Sequence, residues 1–225
     1  MTEKLQEHTQ EGTTNIGYWE QVLEAPTPAY AELFAREKAF LLSHIPKGAR
    51  VLDVGCGEGK NMEIALKRTA HVTGVDVDPE AVADAQARFA EKREVSVQEV
   101  DGATLPFPDR SFDIVTLLMT LPNLEDKKVV VLCEAARVLR DDGVFLLSTF
   151  AETAFDERMK IYRQVNAPIK KIRGTTVVFD ESLGANVSEQ FSLEELRTLG
   201  DEAGMQLIES EKVGVLAYLC VFKKS

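Results

Sequence analysis

Three acidic residues and a glycine loop stand at intervals that could hold one ligand. The loop is Asp53-Val54-Gly55-Cys56-Gly57-Glu58-Gly59, directly after the apolar pair Val51-Leu52. Glycines admit positive φ and let the backbone pass close to a bound group. Asp76 ends the stretch 71–76, and Asp101 follows the stretch 94–100. If each stretch is a strand, the three carboxylates sit at successive strand ends and line one crevice. Asp53 and Glu58 beside the loop would repel a pyrophosphate. The spacing is GxGxG with Lys60 in the sixth position, not the GxGxxG of a nicotinamide or flavin site, and GxxxxGK[ST] is absent. Such a loop suits a ligand with positive charge and hydroxyls. A carboxylate at 76 can accept both hydroxyls of a ribose, in charge-assisted bonds worth roughly 1.5–3 kcal/mol each.

The elements that must position these residues follow from periodicity. Residues 28–45 read as an amphipathic helix with Tyr30, Leu33, Phe34, Leu41 and Ile45 near one face, stopped by Pro46 and Gly48. Strand and helix then alternate: strands at 50–54, 71–76, 94–100, 111–120 and 143–150, helices at 58–68, 79–93 and 125–140. That rhythm predicts βαβ units, a parallel sheet and helices on both faces. An open sheet of this kind binds its ligand at the carboxyl ends of its strands. Residues 151–190 break the rhythm and read as an insertion over that edge, with a helix near 152–166. Ser192 and Glu195 form a capping-box pattern before a last helix, and two strands follow with Gly214 between them.

Composition narrows the classes. The 225 residues carry 26 Lys+Arg against 37 Asp+Glu, a net charge of −11, which argues against nucleic acid as a partner. No apolar run reaches the roughly 18 residues of a membrane span, and Met1–Gly17 has no apolar signal core. Cys56, Cys133 and Cys220 are far apart and odd in number, so neither a disulfide frame nor a metal site is expected. A cytoplasmic setting fits.

VLDVGCGEG, TGVDVDPEAV, DGATLPFPDRSFDIV and ARVLRDDGVFLLST resemble the successive motifs of class I S-adenosylmethionine-dependent methyltransferases, of the small type 11 or type 12 kind. FSLEELRTLGDEAGMQLIE is similar to that family's last helix and sixth strand. The resemblance implies a Rossmann-like, doubly wound α/β fold: a seven-stranded, mostly parallel sheet in a three-layer α/β/α sandwich, its last strand antiparallel between strands 5 and 6. It implies a single domain over 1–225, made of an N-terminal leader and helix (1–49), a cofactor core (50–150), a substrate-side insertion (151–190) and a C-terminal helix and strand pair (191–225). It implies S-adenosyl-L-methionine as cofactor and S-adenosyl-L-homocysteine as product. Asp53, Gly55 and Gly57 match the loop under the methionine part. Asp76 matches the ribose acid, with Val77 on the adenine face. Asp101 matches the acid for the adenine amino group, beside the Gly102 amide. The Leu117 carbonyl matches the position that meets the methionine ammonium. Pro122-Asn123 stands where relatives often carry His-His.

The acceptor side is less legible. A small-molecule substrate is expected, since no recognition domain is appended. Arg158, Lys160, Arg163, Lys170, Lys171 and Arg173 put six positive charges in sixteen residues without an acid. They read either as a solvated face or as a funnel for an anionic acceptor, with Lys170, Lys171 and Arg173 as its contacts. Tyr18-Trp19 reads either as a staple for the leader or as a lid over the methyl group. Tyr18, His44 and Tyr162 are the weak candidates for a general base; Cys56 reads as a filler, and His8, His44 and His71 as structural. The alternative function is a non-catalytic module that binds the cofactor or its product and acts through partner contacts. A dehydrogenase is disfavoured by the missing third glycine.

Overall fold

The apolar runs become the strands of one sheet, and the turns between them carry the polar residues that face the crevice. The computed structural model describes residues 21–183 and 186–225. After a helical turn at 21–24, the elements are α1 (Pro28–His44), β1 (Val51–Val54), α2 (Lys60–Ala65), β2 (Val72–Asp76), α3 (Pro79–Arg88), β3 (Val95–Glu99) and β4 (Phe112–Leu118). Two short 3-10 turns (121–123 and 125–127) lead into α4 (Lys128–Val138) and β5 (Leu139–Phe150). There follow α5 (Phe155–Gln164), β6 (Ile169–Arg173), β7 (Thr176–Phe179), β8 (Val187–Ser188), α6 (Leu193–Glu202), β9 (Met205–Val213) and β10 (Ala217–Lys224).

The main sheet has seven strands in the order β3-β2-β1-β4-β5-β10-β9. Pairings among β1 to β5 are parallel, and β10 runs antiparallel between β5 and β9, as the resemblance implied. The strand order reverses between β1 and β4, which opens a crevice at their carboxyl ends. All four residues of β1 are buried, as expected for a central strand covered on both faces. One core face packs Tyr30, Leu33, Leu41, Met62 and Phe150; the other packs Leu52, Val115, Leu132, Phe145 and Phe222.

Local sequence sets the boundaries. Pro28 and Pro79 open their helices, and the Asp78 side chain accepts from the Glu80 and Ala81 amides at 3.0 and 3.3 Å. The Ser192–Glu195 capping box forms as the pattern predicted. One strand start differs from expectation. β5 begins at Leu139 rather than Gly143, because Leu139 pairs with Phe112 and buries its side chain while Asp141 and Asp142 reach solvent.

The insertion is more ordered than the sequence suggested. Beside α5 it forms a three-stranded antiparallel sheet, β6-β7-β8, in which Arg173 pairs with Thr176 across a turn at Gly174, φ +59°. Its residues Val177, Phe179 and Leu183 join the core face of α1. The strands escaped notice because β6, IKKIR, is mostly charged and exposed.

Arg158, counted among the basic stretch as part of a solvated face or funnel, is fully buried instead. Its Nη1 donates to the Thr175 carbonyl (3.1 Å) and Gln190 Oε1 (2.9 Å), and its Nη2 to Ser188 Oγ (2.8 Å) and the Ser188 carbonyl. The guanidinium lies 4.9 Å from the centre of the Phe150 ring. Oxygen dipoles and an aromatic face thus hold this cation in place, and it ties α5 to the small sheet. Replacing Arg158 by Met leaves those oxygens unpaired and should lower stability by about 2–4 kcal/mol, or roughly 5–15 °C in Tm for a chain of this size. Hydrogen exchange should show the loss of protection concentrated in β7 and β8; an unchanged melting temperature would sink this account.

Candidate active site

A cavity of about 350 Å³ opens at the switch point. Its floor is the glycine loop, Val54–Glu58, with Asp76, Val77 and Asp78 after β2 and Val100, Asp101 and Gly102 after β3. Its other wall is Leu23, Tyr30, Leu33, Phe34 and Glu37 from the N-terminal segment, with Leu118, Met119 and Thr120 at the end of β4. Lys60, Asn61, Ala81, Asn123, Leu124, Val131 and Asn186 complete the lining.

The loop needs its glycines. Gly55 and Gly57 have φ of +74° and +52°, and a Cβ on Gly55 would collide with the Thr120 side chain. The Gly55 and Cys56 amides donate to the Val75 carbonyl at 2.8 and 3.0 Å, and the Gly57 amide donates to Asp76 Oδ2 at 2.8 Å. Asp76 Oδ1 accepts from the Asp78 amide at 3.0 Å. Asp76 therefore fixes the loop as well as facing the crevice, and each oxygen keeps a further acceptor site for a ligand hydroxyl.

Asp53 lies beneath the loop, 3% exposed, and Oδ1 accepts from Thr116 Oγ1 at 2.6 Å. Its Oδ2 is buried and has no partner among the described residues. Burial, partly offset by the Thr116 bond and reinforced by Asp76, raises its pKa to about 6. Asp101 is held low chiefly by the hydrogen bond from Lys127 Nζ at 2.7 Å, and Oδ1 accepts from the Ala103 amide.

Most of the expected cofactor residues meet here: Gly55, Gly57, Asp76, Val77, Asp101 and Gly102 line the cavity, and Val77 is 62% exposed to it and to solvent. Leu117 does not; its side chain is buried in the opposite core face, and the lining at β4 starts one residue later. Lys170, Lys171 and Arg173 lie on β6, outside the lining, and Lys170 is paired with Glu181 at 2.6 Å. Tyr18 and Trp19 lie outside the described residues. Of the weak base candidates, Tyr162 shares a hydrogen bond with Ser188 Oγ and His44 Nδ1 meets the Phe40 carbonyl, so neither reaches the cavity. Burial pushes the Cys56 thiol well above its usual range, which leaves it an inert filler.

The charges of the lining decide what it can hold. Among the described residues it carries five carboxylates, from Glu37, Glu58, Asp76, Asp78 and Asp101, against the single ammonium of Lys60, which is itself paired with Glu58 at 2.8 Å. A cationic ligand with hydroxyls fits this crevice, and a pyrophosphate does not. A family model described as "Methyltransferase domain" matches residues 52–147. Among curated proteins, the chain is 28% identical over 174 residues to demethylmenaquinone methyltransferase of Tropheryma whipplei, covering 76% of this chain and 72% of that protein. It is 34% identical over 134 residues to the O-methyltransferase rstn1 of Aspergillus nomiae, covering 57% and 59%. Over residues 52–147 the chain matches the methyltransferase domain, and its relatives there are S-adenosylmethionine-dependent methyltransferases. Its fold is that of the Burkholderia thailandensis 1,6-didemethyltoxoflavin-N1-methyltransferase, crystallised with S-adenosylhomocysteine (TM-score 0.65, 20% identity, 92% of this chain and 82% of that chain). This methyltransferase uses S-adenosylmethionine as its cofactor. The unpartnered Asp53 oxygen beneath an acidic crevice fits that cation. Among the described residues no helix is long and apolar enough to cross a membrane.

Glu37 escaped the sequence reading. It is 5% exposed on the core-facing stripe of α1, and Oε1 accepts from Ser148 Oγ. The signal was present: the positions three or four residues either side, Leu33 and Leu41, are apolar and buried, so an acid between them is out of place on a helix face.

Two predictions follow from this geometry. Replacing Asp76 by Ala removes both the ribose acceptor and the anchor of the Gly57 amide, and should weaken S-adenosylmethionine binding by about 2–4 kcal/mol. A Kd from calorimetry within threefold of the parent would contradict the assignment. The second concerns pH. Burial raises Glu37 to about 7, so the folded protein holds this proton more tightly than the unfolded chain does. The resulting stabilisation is complete below the ordinary carboxylate pKa and is lost as pH rises through about 7. Glu37→Gln should therefore gain about 2–3 kcal/mol on the parent between pH 5 and pH 8 in urea unfolding without added cofactor. A constant difference across that range would refute the shift.

Proposed function

We propose that this methyltransferase transfers a methyl group to a small, neutral, largely apolar acceptor seated between α1 and the end of β4. The observation that carries this reading is the lining itself. Leu23, Tyr30, Leu33, Phe34, Met119 and Leu124 form an apolar wall, while the charges around it are overwhelmingly negative. Such a wall favours an apolar ring or chain, and the carboxylates disfavour an anion. The basic strand β6 would have to act from outside the described cavity. The curated relatives support a small-molecule acceptor, one of them being named for demethylmenaquinone.

In this reading Asp76 accepts the ribose hydroxyls, Asp53 faces the methionine ammonium, and Asp101 with Gly102 receives the adenine edge over Val77. When bound, S-adenosylmethionine supplies a sulfonium methyl open to in-line displacement. The chain's own contribution is chiefly positioning: alignment of reacting atoms about 3–3.5 Å apart supplies several kcal/mol of the barrier. The apolar wall also excludes water from the acceptor.

The test is methyl transfer from S-adenosylmethionine to 2-naphthol, with 2-naphthoate as the anionic counterpart. Naphthol should be methylated and naphthoate should not, and neutralising Lys170, Lys171 and Arg173 together should leave KM for naphthol within about twofold. Preference for naphthoate, with KM raised by that triple substitution, would restore the anionic acceptor. Tight cofactor binding with no turnover across a wider acceptor panel would favour the non-catalytic module.

A further inference from the structure

We infer that Glu37 is the proton acceptor of this active site, and that the acceptor it serves carries its nucleophile as a neutral hydroxyl. The inference rests on the reading of a neutral acceptor given above and names the group that reacts.

Geometry singles out Glu37. It projects from α1 into the cavity wall, between Leu33 and Leu41 of the buried stripe. Ser148 Oγ donates to its Oε1, and the same Oγ accepts from the Met119 amide at 3.0 Å. Met119 lines the cavity with φ +53°, a conformation costly for a residue with a side chain, and its amide also donates to the Ser148 carbonyl at 3.0 Å, so the residue that orients Glu37 also binds the end of β4. Oε2 has no hydrogen-bond partner among the described residues.

Glu37 is not half of a buried ion pair. From β1 it faces Asp53, and Asp76 and Cys56 share its cavity. From β5 it meets the hydroxyl of Ser148. The basic residues of its own helix look elsewhere: Arg36 binds Glu211, Lys38 is exposed on the outer face and His44 approaches Glu209 of β9. Lys60, across the cavity, is taken by Glu58. Desolvation and Asp53 then place its proton affinity near neutrality, where a general base works best.

The step balances without further reagents. A lone pair of the acceptor oxygen forms the new O–C bond, and the electrons of the C–S bond stay on sulfur as a neutral thioether. The hydroxyl proton passes to Glu37 Oε2, its bonding pair remaining on oxygen. The carboxylic acid later returns the proton to water. One positive and one negative charge vanish together, which a poorly solvated cavity favours.

The test compares 2-naphthol with 2-naphthalenethiol, since a thiol ionises more readily than a phenol and needs no base near neutral pH. Glu37→Gln should lower kcat/KM for naphthol by about 100-fold or more and change that for the thiol by less than about threefold. The naphthol profile should fall on the acidic side as Glu37 protonates. Ser148→Ala, which removes a bond favouring the carboxylate, should move that limb to higher pH, whereas a merely structural Glu37 would leave it in place. Calorimetry in buffers of different ionisation enthalpy gives a readout free of turnover. S-adenosylmethionine binding at pH 7 should release protons, and Glu37→Gln should release fewer. Equal losses for naphthol and thiol, or equal proton release by parent and variant, would overturn the role of Glu37. Methylation of neither compound by a protein that binds the cofactor would instead refute the neutral-acceptor reading.

Discussion

Two buried carboxylates, Asp53 and Glu37, that no cation of the described residues pairs are the constraint around which this crevice is built. Asp53 and Glu37 are both nearly inaccessible, Asp76 faces the same space, and the described lining offers only a lysine already paired with Glu58. Burying a carboxylate alone is costly, and a protein meets that cost by protonating the group, pairing it or presenting it to a bound cation. Burial pushes Asp53 and Glu37 toward the first response, Glu37 further than Asp53. A sulfonium cofactor supplies the third. The crevice is thus complementary to its cofactor through electrostatics that no single motif residue carries.

The sheet distributes this charge. β1 brings Asp53, β2 brings Asp76, the loop after β3 brings Asp101, and β5 brings Ser148 to hold Glu37 from α1. The strand order places these ends side by side at the reversal between β1 and β4. Two cations of the insertion are engaged outside the crevice. Arg158 is sequestered among the oxygens of Thr175, Ser188 and Gln190 against Phe150, and Lys170 is drawn to Glu181. Three of the six basic residues in the run 158–173, Arg158, Lys160 and Lys170, are thus held by partners of their own.

That contrast explains what was legible and what was not. The cofactor half follows from short-range signals: glycines that need positive φ, acids at strand ends, and apolar runs of strand length. Those signals predicted the parallel sheet, while the place of β10 between β5 and β9 came from the family resemblance; six of the eight expected cofactor residues line the cavity and Asp53 lies beneath its loop. Leu117 was assigned through its carbonyl, which side-chain type does not place; its side chain packs in the opposite core face and the lining begins at Leu118. The insertion was opaque because β6 hides its alternation under lysine and arginine, and β8 spans only Val187–Ser188. Counting charges along the chain also treated Arg158 like its neighbours, whereas tertiary packing separates it from them entirely.

Glu37 shows how a nonlocal site can still leave a local trace. Its partners Ser148 and Asp53 are remote in sequence, so no motif contains the constellation. Yet an acid on the buried stripe of an amphipathic helix contradicts the pattern that builds the helix, and such a contradiction persists only where the surrounding structure sustains it. Here the support reaches through Ser148 to the amide of Met119, whose left-handed conformation shapes the wall of the cavity. The end of β4 and the carboxylate thereby share one residue, Ser148, whose carbonyl and hydroxyl both receive the Met119 amide and whose hydroxyl donates to Glu37. A change at Ser148 would alter the shape of the acceptor wall and the charge facing it together, which couples where an acceptor sits to the group that meets it.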